Sequence, residues 1–259
     1  MAHLETIRSL ANRMGGGSGL LTAWVGIPDP LVAGMLASED FDTVTLDMQH
    51  GAHDIQSVGL GITRITLAGK PTLVRIPVGQ FAIASRVLDL GAAGVIAPMI
   101  NSQKDAAAFA SFMKYPPIGE RSWGPTIASG LTGTEGNVYL SSGNGMAVSI
   151  AMIETREALS ALDDILITPG IDAVFVGPSD LSIALSNGAN VDPGRKDVAD
   201  ALDHVVARCR VHGKSACCFA PTPQAARDLA KKGYDLMAIG TDFGQLRSGA
   251  RAQIEIARG

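Results

Sequence analysis

The stretch AVSIAMIETREALSALDDILITPGIDAVFVGPSDLS, residues 147–182, decides how the chain reads. It opens on an apolar run, AVSIAMI (147–153). A segment with helical spacing follows (155–168), and Gly170 precedes a second apolar run, IDAVFVG (171–177). Both runs are mostly continuous rather than alternating, as expected of parallel strands buried on both faces. Thr155 supplies a helix start signal and Gly170 a stop. The segment therefore reads as strand, helix, strand.

The same alternation extends outward in both directions. Upstream lie the runs LLTAWVGI (20–27), DTVTLDM (42–48), PTLVRI (71–76) and AGVIAPMI (93–100); downstream lie KSACCFA (214–220) and DLMAIG (235–240). With the two in the central stretch this makes eight. Between and after them the spacing predicts helices over 30–39, 54–68, 80–90, 102–114, 196–212, 222–232 and 243–258, besides 155–168. Asp54, Ser102 and Thr222 mark helix starts, and Gly69, Gly91, Gly213 and Gly233 mark ends. Eight β-then-α units predict an α/β protein with a (β/α)₈ TIM-barrel fold, in one domain spanning 1–259. A doubly wound open sheet would carry a Gly-rich phosphate turn after its first strand, and GIPDP (26–30) is not one. GGGSG (15–19) reads as a flexible connector. The segment 116–137 reads as a long Gly/Pro-rich loop of the kind that serves function or covers an interface.

Composition narrows the function. The chain has 259 residues, 46% of them apolar and 18% charged, with a mean hydropathy of +0.22, which excludes general disorder. A net charge of −4 and a pI near 5.7 give no basic footprint, so nucleic acid is not an expected partner. Three cysteines, Cys209, Cys217 and Cys218, are an odd number in a long chain and point to a reducing, cytoplasmic setting. No signal peptide is read at the N-terminus. No apolar run reaches the ~20 residues that span a bilayer, so no membrane partner is expected.

Barrel enzymes place their chemistry at the C-terminal ends of the strands. There the sequence offers Asp47, Gln49 and His50, then Arg75, Asn101, Glu154, Ser179 with Asp180, and Asp242. Glu154 and Asp180 follow neighbouring strands, ~4.8 Å apart in a sheet. Two such carboxylates suit a hard cation such as Mg²⁺ or Mn²⁺; alternatively each caps a local turn, Asp180 within GPSD. His50, three residues after Asp47, is either a general base whose tautomer the carboxylate fixes, or a satisfied loop histidine. His53 is its near neighbour. His204 and His212 precede the seventh strand, at the wrong barrel end, and His3 lies in the N-terminal segment. Arg75 in an apolar strand needs an anionic partner, either a core carboxylate or a substrate oxyanion. None of the seven lysines falls at a strand C-terminus, so Schiff-base chemistry is not expected. Neither APTP nor GTDFG, after strands seven and eight, makes a Gly-rich phosphate cradle.

Four segments, in order, resemble the HpcH/HpaI aldolase (citrate lyase) family of metal-dependent class II pyruvate aldolases. They are LDMQHGAHD (46–54), LVRIP (73–77) with LDLGAAGVIAPMI (88–100), YPPIGERSWGP (115–125), and MIETREAL (152–159) with GIDAVFVGPSDLS (170–182). The resemblance implies that Glu154 and Asp180 are metal ligands for Mg²⁺, Mn²⁺ or Co²⁺, and that Arg75 contacts the keto oxygen of a 2-oxoacid. It implies that His50 with Asp47 transfers protons, and that the backbone N–H groups of Ser179 and Asp180 hold the substrate carboxylate. Asp89 is implied to reach the site of an adjacent subunit, near the aldehyde. The implied assembly is a trimer or hexamer whose C-terminal helix is exchanged between subunits. Gln49 stands where many members have Glu, and Met152 where many have Gln; both departures bear on aldehyde preference.

The implied reaction cleaves or forms a 4-hydroxy-2-oxoacid, giving pyruvate or a related 2-oxoacid and an aldehyde through a metal-stabilised enolate. Two further readings stay open at the level of sequence: an acyl-CoA lyase of the same family, and a catalytically silent oligomeric paralogue.

Overall fold

A computed structural model of the chain describes residues 2–259. Eight parallel strands close into a barrel in sequence order: β1 Leu20–Val25, β2 Thr43–Asp47, β3 Thr72–Arg75, β4 Gly94–Ala97, β5 Val148–Ile153, β6 Ala173–Val176, β7 Ser215–Ala220 and β8 Leu236–Ile239. β8 pairs back onto β1. The expected (β/α)₈ barrel is therefore the observed fold, and every predicted strand is present, trimmed by a few residues at its ends.

Although the strands read as unbroken apolar runs, a period of two divides them between two cores. Trp24, Leu73, Ile96, Ile150, Met152 and Phe175 fill the barrel interior. Their neighbours Val25, Val74, Val95, Ala151, Val174 and Cys218 face outward under the helices. The inward row is the one whose upper end carries chemistry.

The helices are α1 Ala2–Arg13, α2 Pro30–Ser38, α3 Ile55–Leu67, α4 Ala82–Asp89, α5 Gln103–Met113, α6 Thr126–Thr132, α7 Gly136–Met146, α8 Arg156–Ser160, α9 Leu162–Leu166, α10 Pro178–Leu185, α11 Lys196–His212, α12 Pro223–Lys232 and α13 Asp242–Arg258. Asp54 caps α3 in a capping box with Ser57, and Ser102, Thr155 and Thr222 cap α5, α8 and α12.

Four sequence expectations are corrected. The segment 116–137 is not one long loop: it contains α6 and leads into α7, where Gly143 lets the backbone lie against the Tyr115 ring. The span 155–168 breaks into two short helices. α1 and α10 were not expected. GGGSG is no free connector, because the N–H groups of Gly15, Gly17 and Ser18 all donate to Oδ1 of buried Asp235. Their left-handed glycine conformations let successive N–H groups converge on one oxygen.

α13 departs from the other helices. Asp242 is its one buried residue, and Leu246, Ile254 and Ile256 project into solvent. Among the described residues, no helix is long and apolar enough to cross a membrane.

Candidate active site

A cavity of about 290 Å³ opens at the C-terminal ends of the strands. Asp47 and Arg75 stand at its base. Their strands pair in register, with Asp47 directly opposite Arg75. Arg75 Nε donates to Asp47 Oδ1 at 2.9 Å and its Nη2 to Oδ2 at 2.6 Å. The guanidinium also lies 4.9 Å from the Trp24 ring centroid, and the Trp24 indole N–H donates to Asp47 Oδ2 at 3.1 Å. Burial alone would push the Asp47 carboxyl up, but the bonds and charge of Arg75, the Gln49 N–H and the Trp24 indole hold it below the usual aspartate value. The Asp47 carboxyl is therefore ionised at neutral pH, and its two bonds lock Arg75 in one orientation.

Of the two partners that the sequence allowed Arg75, the structure shows the core carboxylate, on a side chain that still lines the cavity. The geometry around His50 differs from the imidazole–carboxylate pair that the resemblance implied. Asp47 Oδ1 accepts from the backbone N–H groups of Gln49 (3.0 Å) and His50 (3.3 Å), not from the His50 ring. Asp47 thus shapes the turn that carries His50 rather than fixing its tautomer. The His50 side chain is exposed and lines the cavity. Gly51 is required here, since a Cβ would sit 2.3 Å from the Asp47 carbonyl oxygen and 2.7 Å from Gly26 Cα. His53 is buried instead. Its Nδ1 meets Ser57 Oγ at 3.1 Å, and burial lowers its pKa against the pull of Asp242, Asp47 and Asp54. The His3 side chain lies outside the described residues.

Glu154 continues the inward row two positions beyond Met152 and is only 2% exposed. Its Oε1 accepts the Met99 N–H at 2.8 Å. Met99 presents that N–H from a left-handed conformation, φ 56°. Such backbone costs of order 1–3 kcal/mol, and the surrounding contacts hold it. Asn101 Oδ1 accepts from Thr155 Oγ1 at 2.5 Å and ties the loops that flank Glu154. Burial, and then the negative charge of Asp180, raise the Glu154 pKa against the Met99 N–H and Arg75. Gly177 leaves room for the carboxylate: a Cβ there would lie 2.8 Å from Glu154 Oε2. Asp180 sits in the first turn of α10 and lines the cavity. The turn-capping alternative finds no hydrogen bond to the Asp180 carboxylate among the described residues. Pro178 opens α10, so Ser179 and Asp180 carry the first N–H groups at that helix start, where orphan donors favour an anion.

The remaining candidates fall elsewhere. Asp242 is consumed by backbone: its Oδ2 accepts from Gly26 (3.0 Å) and Ile27 (2.8 Å), and its Oδ1 from Phe243 (2.8 Å). Asp89 is not at this cavity. It accepts a 2.6 Å bond from buried Arg121 and lines a separate groove with Gln56 and Thr126. Among the described residues, no lysine lines the cavity. Lys114, which looked unremarkable in sequence, is buried; its Nζ donates to the Asn144 and Ala147 carbonyls and pairs with Asp172 at 2.7 Å. The three cysteines are buried and free, and burial pushes Cys209 up to about 12.

The buried carboxyls of Asp47 and Glu154, the exposed Asp180, an arginine and a helix start thus lie together at the strand ends of the barrel. The family model for HpcH/HpaI aldolase/citrate lyase matches residues 21–249, which include every one of these groups. The chain belongs to the HpcH/HpaI aldolase/citrate lyase family. It is 38% identical over 238 residues to a hydroxypyruvate/pyruvate aldolase of Rhizorhabdus wittichii, covering 92% of this chain and 94% of that protein. It is 29% identical over 225 residues to a 5-keto-4-deoxy-D-glucarate aldolase of Salmonella paratyphi C, covering 87% of each. A family member of known structure from Burkholderia cenocepacia superposes with a TM-score of 0.88 at 28% identity, over 97% of this chain and all of that one.

Proposed function

We propose that this aldolase, a carbon–carbon lyase, is a class II enzyme that cleaves and forms 4-hydroxy-2-oxoacids, with pyruvate or a related 2-oxoacid as the nucleophilic partner and an aldehyde as the acceptor. The observation that carries the reading is that Asp180 and the Asp47-held Arg75 line one strand-end cavity, with Glu154 buried beside it and close enough to feel the charge of both. Glu154 and Asp180 fit a divalent cation. They are close enough to raise the cost of ionising Glu154, neither forms an ion pair with a lysine or arginine among the described residues, and their oxygens suit Mg²⁺, Mn²⁺ or Co²⁺. Bound there, such an ion supplies Lewis-acid stabilisation of negative charge on the substrate.

The chain's own groups supply the rest. Arg75, oriented by Asp47, aims its cationic edge at the cavity, where an oxyanion grows at the α-carbonyl as the C3–C4 bond breaks. The N–H groups of Ser179 and Asp180 receive the substrate carboxylate. His50 takes the proton of the 4-hydroxyl in cleavage and returns it to the alkoxide in synthesis. Met152, where a polar residue is common, leaves the metal side of the cavity apolar. We further propose a trimer or a dimer of trimers. The bare apolar face of α13 calls for a covering surface, and Asp89, held by Arg121 away from its own cavity, would serve a neighbouring one.

The test pairs chelation with trapping. EDTA abolishes pyruvate–aldehyde turnover, and Mg²⁺, Mn²⁺ or Co²⁺ restores it. Borohydride with pyruvate leaves the intact mass unchanged, as expected where no lysine reaches the cavity. Glu154→Gln and Asp180→Asn each weaken Mn²⁺ binding in a direct titration. Activity that survives EDTA together with a trapped pyruvyl adduct refutes the reading.

A further inference from the structure

Asp242 is a buried charge at this cavity that the reaction above leaves unused. It lines the cavity, is 2% exposed, and forms no ion pair among the described residues. Burying a carboxylate without a counter-ion is unfavourable unless hydrogen bonds satisfy it. Three backbone N–H groups do so: Phe243 (2.8 Å) on Oδ1, and Gly26 (3.0 Å) and Ile27 (2.8 Å) on Oδ2. An apolar side chain could fill the same space without that penalty. What the carboxylate adds is direction, since it fixes the start of α13 and the turn after β1 to one point. β1 ends at Val25, and the N–H groups of Gly26 and Ile27 go to Asp242 rather than to a neighbouring strand.

The turn after β1 in its turn holds the one after β2. The Gly26 carbonyl accepts the Ala52 N–H at 2.8 Å. Gly51 packs so closely here that a Cβ on it would lie 2.7 Å from Gly26 Cα and 3.0 Å from the Gly26 oxygen. His50 is the residue just before that contact. Its own N–H, like that of Gln49, is held by Asp47 Oδ1. The exposed imidazole therefore stands on a short turn pinned at two places: Asp47 fixes its entry and Gly26 its exit. Gly26 is fixed by Asp242, the one buried residue of α13.

We infer that Asp242 is a positioning residue for His50, acting through the Gly26–Ala52 bond, so that the placement of the proton-transfer imidazole at the cavity is set from the start of α13. The inference rests on the aldolase reading above and adds a residue that acts on its proton-transfer step without touching substrate.

The experiment is a double-mutant cycle. Asp242→Asn keeps the shape but turns one acceptor oxygen into an N–H₂ donor, which cannot accept the N–H group it faces. Two rates are measured under saturating Mn²⁺. One is pyruvate methyl-proton exchange without aldehyde, which by the reading above uses Arg75 and not His50. The other is aldol kcat with the fastest acceptor among propanal, glycolaldehyde and benzaldehyde. Asp242→Asn should lower aldol kcat by roughly 10- to 100-fold, the usual effect of misplacing a reacting group by about an ångström, and methyl exchange far less. Combined with His50→Ala it should cause no further loss of aldol kcat, because the group it positions is gone. Asp242→Glu retains the charge and runs the same cycle should the asparagine variant not fold. An Asp242 variant that leaves aldol kcat unchanged, slows both rates equally, or multiplies the loss of His50→Ala overturns the inference alone. A wild type without methyl exchange or without aldol turnover overturns the aldolase reading, and this inference with it.

Discussion

Replacing Asp47 by alanine removes the anion that holds Arg75, and its cost follows from what the carboxylate does. Two charge-assisted bonds to Arg75 disappear, together with the indole bond from Trp24 and the acceptor for two turn N–H groups. The guanidinium stays buried without a counter-ion. Removing one partner of a buried pair typically costs about 3–5 kcal/mol. In a domain of this size ~1 kcal/mol shifts Tm by roughly 2–4 °C, so a fall of ~6–20 °C is expected in calorimetry. Asp47→Asn keeps the shape and loses the charge, and should fall between wild type and alanine. The pH dependence has a definite sign. The folded Asp47 pKa is depressed, so its contribution is complete above the unfolded value of ~3.9 and drains away as pH falls through the lower folded value. The acid limb of the stability curve should flatten in Asp47→Asn. Pyruvate methyl exchange should drop in both variants, because Arg75 is free to turn. An alanine variant that melts within ~3 °C of wild type and keeps the same acid limb would falsify the account of this pair.

Arg75→Ala should slow metal-dependent methyl exchange and aldol turnover together by about 10²–10³, the usual cost of one oxyanion donor; normal exchange in a folded variant would make Arg75 purely structural. His50→Ala should lower aldol kcat by about 10²–10⁴ without unfolding the exposed turn, and unchanged kinetics would remove its proton-transfer role. Gly51→Ala places a methyl against the Asp47 carbonyl and Gly26, and should cost at least about 2 kcal/mol in urea unfolding; a neutral outcome would mean that the β2–α3 turn moves freely. Light scattering should report a multiple of the 26.8 kDa chain, and a fully active monomer would contradict both the covering of α13 and the role given to Asp89.

The barrel was legible in the sequence because its signals are local. Each buried parallel strand is a short apolar run, and polar caps such as Asp54 and Thr155 stand at helix starts. Glycines such as Gly213 and Gly233 stand at their ends, where the backbone turns left-handed. Strand-end placement alone also put Asp47, Arg75, Glu154 and Asp180 on one short list. α6, α7 and α10 were missed because Gly, Ser and Thr dominate their sequences or surroundings, and packing against the barrel overrides such weak propensities.

What tertiary structure alone decided was how those residues divide the work. Nothing in the order Asp47, Gln49, His50 says whether the carboxylate turns to the imidazole or to Arg75; the cross-strand register of β2 and β3 does. Asp242 looked as chemical as Asp180, yet the N–H group of Phe243 beside it and those of Gly26 and Ile27, which reach it only in the closed barrel, consume it. The strained Met99 behind Glu154 and the phenyl of Phe243 over Gly26 carry no sequence signature. They arise where distant strand ends come within hydrogen-bond or van der Waals reach, and that distance is fixed by closing β8 onto β1.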